Sequence, residues 1–330
     1  MLESVHQPSI AGILRECLAE TEVIFERQLA SDFPAVNSLC RHVERYRGKM
    51  LRPTLVILTG LATAREPLAR ASISDRHLMV ACVAEMIHMA TLVHDDVLDD
   101  ASTRRRGATV NALRGNETAV MLGDFLISNA FHLCSKVGDP SINLQFGEVT
   151  NTLCEGELVQ LAHRDDTSLD EATYFEIIRR KTAVLVGACC RFGAILSGAS
   201  PAVVAALDRF GMGVGTAFQI QDDLLDLAGQ EDVVGKSLGR DLDKGKMTLP
   251  LILLLAHAGN AERAFVLEAI ARRDDRGLRA AAERSGAIRT ARERAVTIVA
   301  DARAELACLE PSPVRDLLHE LAERTVSREF

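Results

Sequence analysis

Apolar residues return at the three-to-four-residue spacing of an α-helix in segment after segment of this 330-residue chain, and that period constrains the fold more than any single motif. It predicts helices over about 9–30, 35–47, 53–64, 75–99, 117–137, 140–162, 170–199, 201–227 and 247–258, with shorter pieces toward the C-terminus. Their edges carry helix punctuation: Pro53 and Pro201 near first turns, Asp75 before a long apolar run, and Pro311 and Pro313 before the last helix. Alternating Val, Ile and Thr runs between tight turns are missing, and 11 Phe, 2 Tyr and no Trp leave little strand signal. No Ser/Gly/Pro linker divides the chain and no repeat of solenoid length recurs, so a single all-α domain over 1–330 is expected. Stretches 78–93 and 182–198 are apolar on most faces, which requires other helices around them.

Charge and cysteine usage exclude several function classes. With 38 Lys plus Arg against 46 Asp plus Glu, the net charge of -8 argues against a general nucleic-acid binder, which must neutralise phosphates. The eight Cys form no CxxC pair and most lie in apolar periodic segments, where a reduced thiol acts as a small hydrophobe. The start MLESVHQPSI has no basic-then-apolar leader pattern, and the apolar run from Leu249 to Ala258 is short and carries Pro250. A cytoplasmic protein without a membrane anchor is the expectation.

Two acidic clusters stand out. One is Thr91-Leu-Val-His-Asp-Asp-Val-Leu-Asp-Asp100 and the other Phe218-Gln-Ile-Gln-Asp-Asp-Leu-Leu-Asp226, and both contain DDxxD in an apolar frame. Chance supplies about 0.1 such patterns per chain of this composition, so the pair is the signal. On a helix Asp95 and Asp99 are four apart and Asp96 and Asp99 three apart, so their carboxylates share a face; Asp222, Asp223 and Asp226 repeat the geometry. Like charges at that spacing cost roughly 0.2–0.5 kcal/mol per pair, so a cation should compensate. An all-oxygen, carboxylate-rich set without Cys suits Mg²⁺, which keeps several waters and bridges one or two carboxylates to substrate phosphates. A solvated acidic helix face is the plainer reading of either cluster alone.

The basic residues fit a phosphate substrate. Only 6 of the 38 are Lys, and five of those lie in three stretches: Lys49 in 47–53, Lys181 in 179–182, and Lys236, Lys244 and Lys246 after the second cluster. Lys brings a compact charge on a flexible stem, whereas Arg104, Arg105 and Arg106, just after the first cluster, can fork bidentately. The stretch 235–245 lacks GxxxxGK[ST] and follows no strand, so it reads as a cation-bearing cover over diphosphate and not as a nucleotide loop.

At these residues the chain resembles the trans-isoprenyl diphosphate synthases, or polyprenyl synthetases. The resemblance rests on Gly48-Lys49 with Leu51-Arg52-Pro53, His88, the first cluster with Arg104 and Arg105, Gly123-Asp124, Gly156-Glu157, Lys181-Thr182, and the second cluster from Gln219 to Pro250. It implies the isoprenoid synthase type I fold: a single large all-α bundle around a central cavity, with the two acidic motifs facing each other. By the same resemblance Asp95, Asp96 and Asp99, and Asp222, Asp223 and Asp226, hold two or three Mg²⁺ ions on an allylic prenyl diphosphate. Lys181, Thr182, Gln219, Lys236 and Arg104 meet that diphosphate, and Lys246 matches a further family lysine. Lys49, Arg52, His88 and Arg105 match the positions that bind isopentenyl diphosphate. A lone His88 on an apolar helix would otherwise read as a satisfied core residue. The implied reaction is ionisation of the allylic diphosphate, attack by the isopentenyl double bond and proton loss to the released diphosphate. Met50 and Arg106-Gly107 depart from the family pattern, which bears on isopentenyl diphosphate binding. A homodimer is implied, without nucleic acid.

Below Asp95 on the same helix stand Thr91, Ala90 and Ile87, none of them aromatic. Short-product members of the family place a bulky aromatic at four or five back, so a product longer than geranylgeranyl is expected, with Phe125 or Phe131 as the other possible floor. A long apolar product also gives the enzyme reason to meet membranes transiently. The alternatives are a geranylgeranyl or farnesyl diphosphate synthase, a non-catalytic regulatory subunit of a heteromeric synthase, a His94-Asp95 metal phosphohydrolase, and a terpene cyclase. Intact clusters weigh against the regulatory subunit, and the second DDxxD against the phosphohydrolase. A cyclase has no use for Lys49, Arg52 and Arg105.

Overall fold

A computed structural model describes residues 9–44, 46, 48–66, 68–105, 107–229 and 239–327, which form two compact units. The first comprises residues to Glu148 together with Val186–Arg209 and Leu306–His319. It contains α1 (Ile10–Leu29), α2 (Pro34–Glu44), α3 (Leu51–Thr63), α4 (Asp75–Leu98), α5 (Val110–Arg114), α6 (Asn116–Lys136) and the start of α7 (Pro140–Ala162). Helix α4 is its core, packed on α1, α3 and α6. By length and composition α4 could cross a bilayer, yet most of it is buried inside the protein, as a core helix requires.

The second unit holds the rest of α7, α8 (Glu171–Ile178), most of α10 (Pro201–Ala228, from Phe210 on), α11 (Arg240–Asp243), α12 (Leu249–His257), α13 (Asn260–Ala271), α14 (Asp275–Ser285) and α15 (Ala287–Glu305). Helix α9 (Val184–Leu196) begins in this unit and ends in the first, and α16 (Pro313–Val326) does the reverse. The run from Leu249 is α12, with Pro250 in its first turn and every residue from Leu249 to Leu255 buried.

The helical periods place these elements within a few residues, and Pro201 and Pro313 each open a helix. Besides the short helices α5 and α11, which fall between the predicted segments, two features depart from them. The stretch expected as one helix over 170–199 contains a π turn at Arg179–Ala183, which carries Lys181 and Thr182. Its cause is a close helix crossing: a Cβ on Gly156 would lie 2.6 Å from the Lys181 backbone nitrogen, and one extra residue in the turn re-aims the helix beyond it. The other is a two-residue antiparallel ribbon, β1 (Thr103–Arg104) with β2 (Gly107–Ala108), which pairs Arg104 with Gly107 and sets Arg105 in its turn at φ 49°.

Candidate active site

In the first unit, the last turn of α4 carries Asp95 and Asp96, and Asp99 caps the helix. Asp96 is 2% exposed. The Arg104 guanidinium grips its Oδ1 from Nε at 2.9 Å and Nη2 at 2.8 Å, which the ribbon makes possible by folding Arg104 back on the helix end. The other oxygen, Oδ2, is buried without a hydrogen-bond partner. Burial raises the Asp96 carboxyl above the usual carboxylate range, and the Arg104 bond opposes that. A buried acceptor left open is costly unless something cationic completes it.

Behind this cluster four basic side chains share one electrostatic neighbourhood. Burial lowers the Arg52 guanidinium, with the Arg105 charge lowering it further and Glu85 opposing both. His88 is driven well below the ordinary imidazole range by burial and then by Arg52, Arg105 and Arg104, so it stands as a neutral ring. The Arg52 Nε is buried and makes no hydrogen bond. Arg105 spends one nitrogen on the Tyr46 carbonyl. Burial is the main cause of both arginine shifts and neighbouring cations add to it; with the one carboxylate of Glu85 among these guanidinium groups, the neighbourhood keeps a net positive charge that suits an anion. Lys49 is exposed, in the bend just before α3. Met50, the departure from the family pattern, is 8% exposed and enters α3 at φ 51°. Further up α4, Ala90 and Ile87 are fully buried and Thr91 is half-buried, its hydroxyl donating to the His88 carbonyl at 2.8 Å.

In the second unit a chain of hydrogen bonds links the predicted residues. The Thr182 hydroxyl donates to Gln219 Oε1 at 2.8 Å, Gln219 Nε2 donates to Asp223 Oδ1 at 2.8 Å, and Tyr174 Oη donates to Asp223 Oδ2 at 2.6 Å. Both Asp223 oxygens are therefore held. Burial, followed by the charge of Asp241, pushes its carboxyl up. Asp226 Oδ2 accepts from the Asp241 backbone N–H at 2.9 Å, tying the second cluster to the turn that bears Lys246. Lys246 Nζ lies 3.8 Å from the Asp241 carboxylate. Lys181 is paired with Glu157 and donates to Gln160 at 2.8 Å. Lys181, Gln219, Asp223, Asp241 and Lys246 line one cavity. Lys236 and Arg106 lie outside the described residues.

Tyr174, Asp241 and Gln160 escape the sequence reading. Tyr174 is a buried tyrosine in an amphipathic helix and looks like core. Asp241 sits in the Lys-bearing stretch, but its spacing there carries no signal of its tie to Asp226.

The donor set fits a hard divalent cation. Every candidate ligand is a carboxylate oxygen, and Asp96 Oδ2 is a ready acceptor. Among the described residues no three acidic, His or Cys side chains converge as a closed cage.

Residues 34–283 match the polyprenyl synthetase family. The chain is 34% identical over 306 residues to the octaprenyl diphosphate synthase of Escherichia coli K12, covering 92% of this chain and 93% of that one. Its backbone superposes with a TM-score of 0.89 on a decaprenyl diphosphate synthase from Rhodobacter capsulatus, at 33% identity and with 96% and 98% of the two chains covered. A polyprenyl synthase from Caulobacter crescentus CB15, crystallised with calcium and isoprenyl diphosphate, matches equally well at TM-score 0.89 and 33% identity, with 98% of each chain covered.

Proposed function

The chain belongs to the polyprenyl synthetase family and is a trans-prenyltransferase of the all-α isoprenoid synthase fold, and from that premise we propose that it condenses isopentenyl diphosphate with an allylic prenyl diphosphate, repeatedly, to an all-trans product longer than geranylgeranyl. The observation that carries the reading is the group of Arg52, His88, Arg104 and Arg105, which share one electrostatic neighbourhood beside the buried Glu85. A cyclase ionises one diphosphate and needs one set of cations; a second anion site beside the first acidic cluster calls for a second diphosphate.

Asp95, Asp96 and Asp99 in one unit, and Asp222, Asp223 and Asp226 in the other, are the residues that would hold Mg²⁺, two or three ions in all. Bound there, Mg²⁺ supplies Lewis-acid neutralisation of the charge that grows on a departing diphosphate. The protein's own groups do the rest. Arg104, already fixed on Asp96, presents further guanidinium hydrogens to the same diphosphate. Gln219 and Tyr174 keep Asp223 oriented. Lys181 exchanges its Glu157 partner for phosphate oxygen, and Lys236 and Lys246 add charge at the same group. Arg52, Arg105 and Lys49, with His88 as a neutral donor, hold isopentenyl diphosphate so that its double bond meets the allylic cation. Buried apolar residues around Ile87 and Ala90 keep water from that cation, and no side-chain nucleophile is required. The name of the Escherichia coli relative, an octaprenyl synthase, and small residues at 90 and 91 both support a long product.

We take the working enzyme to be a homodimer. Val120 and Met121 on α6 and Leu144 on α7 are exposed apolar side chains that support a partner face, and light scattering after gel filtration reads the state directly. The function itself is tested by incubating the purified protein with Mg²⁺, isopentenyl diphosphate and geranyl, farnesyl or geranylgeranyl diphosphate in turn, followed by chromatography of the dephosphorylated products. Elongation beyond twenty carbons is expected; no extension of any primer would sink the reading.

A further inference from the structure

We propose that Asp165 and Arg273, which lie in none of the motifs above, are positioning residues that aim Lys246 at substrate diphosphate by fixing the turn at Gly245; this rests on the diphosphate-binding reading of the second unit. Lys246 follows a turn in which the Gly245 N–H donates to the Leu242 carbonyl at 2.9 Å and the Lys246 N–H to the Asp241 carbonyl at 2.8 Å. Gly245 is left-handed at φ 71°, and a Cβ there would fall 2.5 Å from Asp165 Oδ1, so the Asp165 carboxylate lies directly on the turn. The Asp165 N–H also donates to the Gly245 carbonyl at 2.8 Å.

Asp165 is itself left-handed, at φ 60°, a conformation that Asp and Asn adopt more readily than other residues with a Cβ. Arg273 fixes its side chain there, with Nη2 donating to Asp165 Oδ1 at 2.6 Å. Two more contacts come from the same corner: Arg279 Nη1 donates to the Gly229 carbonyl at 3.2 Å at the end of α10, and Gly239, just before α11, lies against the Asp275 carboxylate. Force therefore passes from Arg273 through Asp165 and Gly245 to Lys246 and Asp241, and the Asp241 N–H ends it on Asp226.

The Asp165 carboxylate is mostly exposed, so as a stabilising ion pair it would contribute little to the fold. Its worth lies in geometry, and that separates the two roles by experiment. Arg273→Ala and Asp165→Ala should each weaken calorimetric binding of inorganic diphosphate in Mg²⁺ about tenfold, and raise KM for the allylic diphosphate with kcat within about twofold. Melting temperatures should move little. Asp165→Asn, which keeps both the left-handed preference and an acceptor for Arg273, should restore wild-type binding. Should Asp165→Ala fail to fold, Arg273→Ala decides alone. Unaltered diphosphate affinity in Arg273→Ala would overturn the proposal, as would an Asp165→Asn protein no better than Asp165→Ala. Diphosphate binding does not require elongation, so a wild-type protein that binds diphosphate but extends no primer would overturn the assigned reaction and leave the positioning result to stand.

Discussion

The Tyr174 hydroxyl donates a 2.6 Å hydrogen bond to Asp223 Oδ2, and both residues are buried, at 3% and 5% exposure. With Gln219 on the other oxygen, the carboxylate has no rotational freedom. A carboxylate so held would meet a metal without first losing orientational entropy, and removing the outer partner of a metal ligand typically costs 10–100-fold in affinity or activity. Tyr174→Phe keeps the ring and its packing. We expect it to weaken divalent-metal dependence and turnover by about that factor with an unchanged helical spectrum. Wild-type metal dependence would show the bond to be incidental.

The acidic clusters matter more for rate than for stability. Asp95→Ala and Asp222→Ala each remove one carboxylate from a run of like charges along a helix, so melting temperatures should move little. Turnover should fall by roughly 10²–10³ or more, since the proposed mechanism puts these groups where charge develops. Product formation and melting measured on the same preparations check both halves, and wild-type turnover in either variant would remove that cluster from the mechanism.

Ala90 is fully buried one turn and a residue before Asp95. A phenyl ring there fills space that a growing prenyl chain would use and crowds the core of α4, at a cost of about 1–3 kcal/mol. Ala90→Phe should shift products to shorter chains and lower the melting temperature by several degrees. Unaltered product length would take Ala90 out of the tunnel wall.

Local patterns carry most of the fold and mark the acidic motifs of the candidate site. Helix positions followed from the apolar period because each segment buries one face, and DDxxD was legible because its geometry closes within five residues. The Tyr174–Asp223 bond spans 49 positions and leaves no periodic trace. The π turn at Lys181 answers to the approach of Gly156, a tertiary cause invisible in 170–199 itself. The sequence marks Arg104 as a phosphate ligand, but its grip on Asp96 depends on a two-residue ribbon too short to betray itself by alternation. Asp165 and Arg273 were illegible for the same reason: their importance is where they sit, not what surrounds them in the chain.

His77 ties the start of α4 to its neighbours in a way that sets the acid stability of the first unit. The Ser74 N–H donates to His77 Nδ1 at 3.3 Å, so the ring proton is on Nε2, which donates to Ser197 Oγ at 3.1 Å. That hydroxyl passes its own hydrogen to the Gly60 carbonyl at 2.7 Å. A second ring proton would have to displace the Ser74 N–H from Nδ1, at a position only 1% exposed. Burial accordingly lowers the imidazole from 6.5 to about 4. The unfolded chain therefore binds this proton more readily than the native one. Its contribution to stability is intact above pH 6.5 and is lost as pH falls from there toward 4, by up to about 3 kcal/mol. His77→Gln does not titrate, and a glutamine three residues after Ser74 can complete the same capping box. Urea midpoints at pH 7.5 and 4.5 should thus fall less steeply with acid in His77→Gln than in the wild type, the carboxylates cancelling in the comparison. Parallel losses in the two proteins would mean that His77 is not the group that acid attacks.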